Sequence, residues 1–236
     1  MAVRGVLFDV DDTLFAFSNS EESGLFAHLR AERLLDRFTD PAAALRIWRE
    51  LTDTHFDRFV RGELTFTEQQ RVRTRAFLDG LGIALAEAEI AEWFRRYDTH
   101  RRAAWAAFPD TEPALRRLAP AYRLGVVSNS SAEAQRRKLG IVGLLPYFGD
   151  ALVCSDQHGV AKPDAAIFRA GCDSLGLEPR EVAYVGDKYA VDAVGARDAG
   201  LVAYWLDRGN ARGGNVIDEG IRVIGSLEEL PDVLVR

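Results

Sequence analysis

The segment Val3-Arg4-Gly5-Val6-Leu7-Phe8-Asp9-Val10-Asp11-Asp12-Thr13-Leu14 opens as a nearly all-apolar run and closes on a cluster of carboxylates. Val3 to Val10 has the pattern of a strand buried on both faces, as parallel sheets covered by helices require. After Pro109 similar short runs recur at Tyr122–Ser128, Ala151–Cys154, Val182–Gly186, Leu201–Leu206 and Ile221–Ile224. Helical patterns separate them: one marked by Leu115 and Leu118, then Glu133–Gly140, Ala165–Leu175, Val191–Ala199 and Leu227–Leu234. Strands alternating with amphipathic helices indicate parallel βαβ units. The fold class is therefore α/β, with a parallel sheet between helices and the first strand joined to the later block. Arg208–Gly214 reads as a loop.

From about Ser20 to Ala107 the period is helical throughout, so this stretch reads as an insertion. Ser20 is placed to cap a first helix with Glu21 and Glu22 in its opening turn. Asp40-Pro41 starts a second, proline being tolerated at the first helical position. Thr67 with Gln70 has the spacing of a capping box for a third, stopped near Gly80 and Gly82. A fourth carries Ile90, Trp93, Phe94 and Tyr97 on its apolar side. The expected division is residues 1–14 and 110–236 as one domain and 15–109 as an inserted helical domain.

Composition narrows the functional classes. The chain has 30 Lys+Arg against 36 Asp+Glu, a net charge of -6, which disfavours a nucleic-acid reader. Lysine occurs only at Lys138, Lys162 and Lys188, the other 27 basic residues being arginine. Two cysteines, Cys154 and Cys172, are too few for a disulfide framework and fit a reducing compartment. No apolar window is long enough for a membrane span, and the N-terminal run is too short for a signal peptide. A cytoplasmic protein without nucleic-acid or membrane partners is expected, as a monomer or a homodimer.

Ligands of open parallel sheets collect beyond the carboxyl ends of the strands. The first strand ends in Asp9, Asp11, Asp12 and Thr13, the second in Ser128-Asn129, and the fourth in Gly186-Asp187 with Asp192 beyond; Lys162-Pro163 follows the third. Crowded acids call for a cation, and oxygen-only ligands suit magnesium. Alternation along an extended segment puts Asp9 and Asp11 on the same side, so one carboxylate can attack while the other handles a proton. Ser128, Asn129 and Lys162 offer donors for non-bridging phosphoryl oxygens. The set describes phosphoryl transfer by positioning and charge neutralisation.

Asp9-Val10-Asp11-Asp12-Thr13-Leu14, Ser128-Asn129, Lys162-Pro163 and Gly186-Asp187 with Asp192 resemble, in order, the four motifs of the haloacid dehalogenase-like hydrolase superfamily. The phosphatase branch with a helical cap between the first two motifs is the most similar. The resemblance implies a Rossmann-like core and a cap that closes over the site. It implies Asp9 as the nucleophile that forms an aspartyl-phosphate, and Asp11 as general acid and then base. It implies magnesium on the Asp9 and Asp187 carboxylates and the Asp11 carbonyl. Ser128 would bind the phosphoryl group, Lys162 would offset its charge, and Asp192 and Thr13 would act from behind the ligands. The fourth motif departs from its commonest form at Lys188 and Val191, which bears on Asp192 and not on Asp187.

The expected activity is hydrolysis of a small phosphorylated metabolite: a nucleotide, flavin mononucleotide or sugar phosphate. The alternatives are a 2-haloacid dehalogenase, a phosphomutase, or a non-catalytic binding protein on the same scaffold. A dehalogenase needs neither metal nor an acid at position 11, whereas Asp11 and Asp187 are both present. A Schiff-base mechanism needs a cap lysine, and there is none between Phe15 and Pro109. In the inserted region Arg58 and Arg61 are candidates for gripping a distal anion of the substrate.

Overall fold

The computed structural model describes residues 2–210 and 217–234. The chain begins with β1 (Gly5–Phe8) and continues through four long helices, α1 (Phe17–Ala31), α2 (Pro41–Val60), α3 (Phe66–Gly80) and α4 (Glu87–Ala103). Then follow α5 (Thr111–Leu118), β2 (Arg123–Ser128), α6 (Ala132–Ile141), β3 (Leu152–Cys154), α7 (Ser155–His158) and α8 (Ala165–Leu175). The last elements are β4 (Val182–Gly186), α9 (Gly195–Asp198), β5 (Val202–Leu206), β6 (Ile221–Ile224) and α10 (Leu230–Leu234). These form two compact units, one of Met1–Ala16 with Ala106–Arg236, the other of Phe17–Trp105.

In the first unit six strands form one sheet in the order β3-β2-β1-β4-β5-β6. Every neighbouring pair is parallel, with Phe8 of β1 level with Val126 of β2 and Val185 of β4. This is the α/β sheet expected from the strand pattern. All four β1 residues and all five β4 residues are buried, which explains their unbroken apolar runs. Leu7, Val127, Phe168, Cys172 and Tyr184 share the core beneath α8. The helix comes close to the sheet at Gly171, where a Cβ would lie 2.5 Å from Val127 Cγ2 and 2.8 Å from Leu7 Cδ1. β1 sits centrally, and the strand order reverses beside it, which puts the carboxyl ends of β1, β2 and β4 around one crevice.

The helix expected at Val191–Ala199 differs. Tyr189–Val194 forms a wide π turn, and only Gly195–Asp198 is α-helical. The wide turn accompanies an inward Asp192, whose carboxylate occupies the space where a Cβ on Gly186 would stand. Of the expected Arg208–Gly214 loop, residues 211–214 lie outside the described residues.

The second unit packs Leu25, Leu29, Trp48, Phe77, Trp93 and Tyr97 into its own core. Asp40 caps α2 as expected, accepting from the Ala43 N–H at 2.7 Å. Two expected caps are displaced. Thr65 and Glu68, not Thr67 and Gln70, form the capping box of α3. Helix α1 starts at Phe17, so Ser20 lies inside it and its buried hydroxyl donates to the Phe17 carbonyl at 2.8 Å.

His28 on α1 is fully buried, edge-on to Trp93 at 4.3 Å between centroids, and neither ring nitrogen has a hydrogen-bond partner. Burial pushes its pKa down to about 4 against the opposing pull of Glu32; His100 and Arg96 push the same way as burial. Above its ordinary value of 6.5 both folded and unfolded chains hold the ring neutral, so it contributes nothing to pH dependence. Between 6.5 and 4 the unfolded chain takes the proton first, so stability falls as pH falls. His28→Phe is expected to flatten the loss of Tm between pH 7 and pH 5, measured by calorimetry. An unchanged slope would place the acid sensitivity elsewhere.

Candidate active site

The carboxyl end of β1 continues its ladder for one more residue, the Asp9 N–H donating to the Val185 carbonyl at 2.9 Å. This fixes the Asp9 backbone against β4. Three N–H groups, of Thr13, Leu14 and Phe15, converge on the Val10 carbonyl at 3.3, 2.9 and 2.9 Å, so the chain turns sharply after the acids. Asp12 takes a φ of 62° in that turn, a left-handed conformation that aspartate tolerates. Arg208 holds the turn from outside, donating to the Thr13 carbonyl at 2.9 Å and forking onto Asp110 at 2.7 and 3.0 Å.

Asp9 and Lys162 form a buried pair, with Nζ 2.7 Å from Asp9 Oδ1. The same ammonium lies 2.7 Å from Asp192 Oδ1 and 2.9 Å from the Tyr184 hydroxyl, so three oxygens surround it. Tyr184 in turn donates to Asp192 at 2.9 Å, and the other Asp192 oxygen accepts from the Lys188 N–H at 2.9 Å. Burial works against the lysine charge, but Asp192 and Asp9 outweigh it and raise its pKa. Asn129 positions the loop: its amide donates to the Lys162 carbonyl at 2.8 Å and accepts from the Lys162 N–H at 2.7 Å. Both polar atoms of Asn129 are thus engaged with the Lys162 backbone, which ties the residue after β2 to the loop that carries Lys162.

Asp187 follows β4 and brings a second carboxylate toward Asp9. Thr13 stands between them, its hydroxyl 3.5 Å from Asp9 Oδ2 and 3.4 Å from Asp187 Oδ1. One hydroxyl hydrogen cannot satisfy two carboxylates at once. Burial pushes the Asp9 carboxyl up to about 6 despite the pull of Lys162, with repulsion from Asp192 and Asp11 adding to the rise. Asp187 is pushed up to about 8 by burial first, then by Asp9, Asp192 and Asp12. Oxygens of Asp9, Asp187 and Asp192 all lie within 4.8 Å of one another. An excess of anionic oxygen, with hard donors only, fits a hard divalent cation. Asp192 is the most fully engaged of the three, its Oδ1 accepting from both Lys162 and Tyr184 and its Oδ2 from the Lys188 N–H.

Asp11 turns elsewhere. Its Oδ1 meets Lys138 Nζ at 2.5 Å and its Oδ2 accepts from the Gln135 amide at 2.9 Å. The same Gln135 amide donates to Ser128 Oγ at 3.0 Å, so a chain of hydrogen bonds joins Ser128 to Asp11. Asp9, Asp11, Ser128, Lys162, Asp187, Asp192 and Thr13 are therefore gathered at one end of the sheet. Arg58 and Arg61 belong to the helical unit, where they pair with Glu63 at 3.2 and 2.7 Å. Lys138, Gln135 and Tyr184 were not singled out from sequence. Signals existed for the first two: Lys138 is one of three lysines, and Gln135 stands three residues before it, on the same helical face.

The haloacid dehalogenase-like hydrolase family model matches residues 3–200. A glyceraldehyde 3-phosphate phosphatase from Methanopyrus kandleri is 30% identical over 218 residues, covering 88% of this chain and 85% of that one. A phosphoserine phosphatase from Thermus thermophilus is 35% identical over 145 residues, covering 60% of this chain and 55% of its own. Among solved structures, the HAD-hydrolase YfnB from Bacillus subtilis, bound to magnesium, superposes with a TM-score of 0.82 at 23% identity, covering all of both chains. With a family model that runs from β1 through β4 and takes in all four groups of site residues, this chain belongs to the haloacid dehalogenase-like hydrolases.

Proposed function

We propose that this hydrolase is a magnesium-dependent phosphatase that cleaves a small phosphorylated metabolite through an aspartyl-phosphate on Asp9. The observation that carries the reading is Asp9 held between Lys162, 2.7 Å away, and the carboxylate of Asp187. A nucleophile held by an ammonium on one oxygen keeps a fixed line of attack. The Asp9 carboxylate attacks phosphorus, the ester oxygen leaves with the proton of Asp11, and Asp11 then takes a proton from the water that releases phosphate. Ser128 donates to a phosphoryl oxygen, and Lys162 offsets the charge Asp9 and phosphate share. Magnesium, held by Asp9, Asp187 and the Asp11 carbonyl, would neutralise charge on the phosphoryl group.

The relatives' names, glyceraldehyde 3-phosphate phosphatase and phosphoserine phosphatase, support small three-carbon phosphate esters as first candidates. We read the helical unit, inserted between the first and second motifs, as the cap that selects among substrates. Both cysteines are free and buried, with burial pushing each thiol up to about 12, so neither is a reactive thiolate; the small number of cysteines supports a reducing, cytoplasmic setting. Among the described residues no helix is long and apolar enough to cross a membrane.

The test is phosphate release from a panel of small monoesters with magnesium and with a chelator, alongside halide release from 2-haloacids. Turnover is expected with magnesium and a fall of at least about a hundredfold with chelator. Halide release without metal, and no phosphate from any ester, would move the assignment to dehalogenation.

A further inference from the structure

Lys138 and Gln135 lie outside the four matched motifs, yet they make the side-chain contacts of Asp11 described above. Both sit on α6, whose first turn is fixed twice: Ser131 Oγ accepts from the Ala134 N–H at 3.5 Å, and Asp156 Oδ1 accepts from the Ala132 N–H at 3.0 Å. Gln135 is fully buried and Lys138 is 4% exposed, a costly place for an ammonium without a partner. The lysine stem runs over Phe15, with Nζ 5.3 Å from the ring centroid, and its charge reaches Asp11. Asp11 itself is half-buried. An aspartate at the rim of a crevice, held on both oxygens by two buried side chains of one anchored helix, has little freedom to rotate.

We propose that Lys138 and Gln135 are positioning residues for Asp11, holding its carboxylate in one orientation in line with the Ser128 hydroxyl. The inference rests on the phosphatase reading and deepens it. As Asp9 forms its bond to phosphorus, the bond to the ester oxygen breaks and its electron pair goes to that oxygen, which takes the Asp11 proton. Asp11 is left as a carboxylate beside Asp9 and Asp187, and the Lys138 ammonium offsets that added charge until water returns a proton. Gln135 couples the two ends, because its single amide nitrogen spans Asp11 and Ser128 at 2.9 and 3.0 Å. Occupation of Ser128 by a phosphoryl group and alignment of Asp11 thus depend on the two hydrogens of one amide group.

The dependence on leaving group separates this role from a general structural one. An alkyl phosphate needs a proton on its departing oxygen, whereas 4-nitrophenyl phosphate releases 4-nitrophenolate, a stabilised anion that leaves without one. K138M and Q135A are expected to lower kcat/KM for glycerol 3-phosphate by about a hundredfold, within the range general acid catalysis supplies. For 4-nitrophenyl phosphate the loss is expected to stay below about threefold, and K138R is expected to recover part of the alkyl activity. Equal losses on both esters, or none on either, would overturn the proposal.

A crystal structure of K138M reads the same inference without turnover. Asp11 is expected in a different rotamer, and an unmoved carboxylate would overturn the proposal. Wild-type enzyme that hydrolysed neither ester would instead overturn the phosphatase reading, leaving the Asp11 rotamer to judge the positioning. Thermal melts of each variant identify any that fail to fold.

Discussion

Asp9→Asn is expected to lower phosphate release on the order of 10⁴-fold or more while leaving the protein folded, as loss of a covalent nucleophile does. The amide keeps the shape of the side chain, so the packing of β1 against β2 and β4 is undisturbed. Its nitrogen cannot carry the phosphoryl group, and its neutral oxygen gives Lys162 a weaker partner. Lys162 retains Asp192 and Tyr184, at 2.7 and 2.9 Å, so its charge is not stranded.

The same substitution removes one of the repelling carboxylates. Asp187 is pushed up to about 8 partly by Asp9, and that repulsion ends when position 9 is neutral. Metal-free Asp9→Asn is therefore expected to melt at or above the temperature of the metal-free wild type, a site built for function being held against local stability. With magnesium the order should reverse, because the wild type gains stability from a bound ion and the variant has lost one ligand. Melting curves with and without magnesium check both signs. Residual turnover within tenfold of wild type would remove Asp9 from the role of nucleophile.

The parts legible in sequence are those whose physics is local in the chain. Unbroken apolar runs such as Val182–Gly186 identify strands buried on both faces, and in a parallel sheet the residue after each strand is automatically near the site. Asp9, Ser128 and Asp187 are found in this way without any knowledge of side-chain direction. Local hydrogen-bonding choices are less legible. Thr65 and Thr67 flank the first residue of α3, each with an acid or amide three residues on, and only the path of the chain selects Thr65 as the cap. Ser20 could cap or lie within a helix, and the tight approach of Gly24 to the Arg101 backbone accompanies the earlier start of α1.

Least legible are partnerships made across the sheet. Asn129 reads as a phosphate donor, and nothing local announces that it engages the Lys162 backbone 33 residues away. Tyr184 lies within an apolar strand and reads as core, which its fully buried ring is; only its hydroxyl reaches the polar network. Lys138 lies 127 residues from Asp11 in sequence, and nothing in its own helix announces that the side chain turns inward. A lysine on an amphipathic helix ordinarily faces water, so its burial is information that only the fold supplies.

Lys162→Met is the substitution with the largest expected effect on stability. It keeps the apolar stem and removes the ammonium shared by Asp9 and Asp192, leaving two buried carboxylates facing each other. Breaking a buried ion pair from one side costs about 3–5 kcal/mol, which is a large share of the ~5–15 kcal/mol that holds a domain folded. Activity should fall with it, because Asp9 loses its anchor and the phosphoryl charge loses its offset. A second change separates the two effects. Asp192→Asn added to Lys162→Met removes the more deeply buried of the stranded acids, while its side-chain oxygen can still accept from the Lys188 N–H. The double variant is expected to regain much of the lost stability, since removing both partners of a buried pair is far cheaper than removing one. It should regain none of the activity, since Asp9 still has no ammonium. Chemical denaturation of the three proteins in the absence of metal measures the first, and phosphate release measures the second. A double variant as unstable as Lys162→Met would show that the lysine stabilises the fold through packing and not through charge.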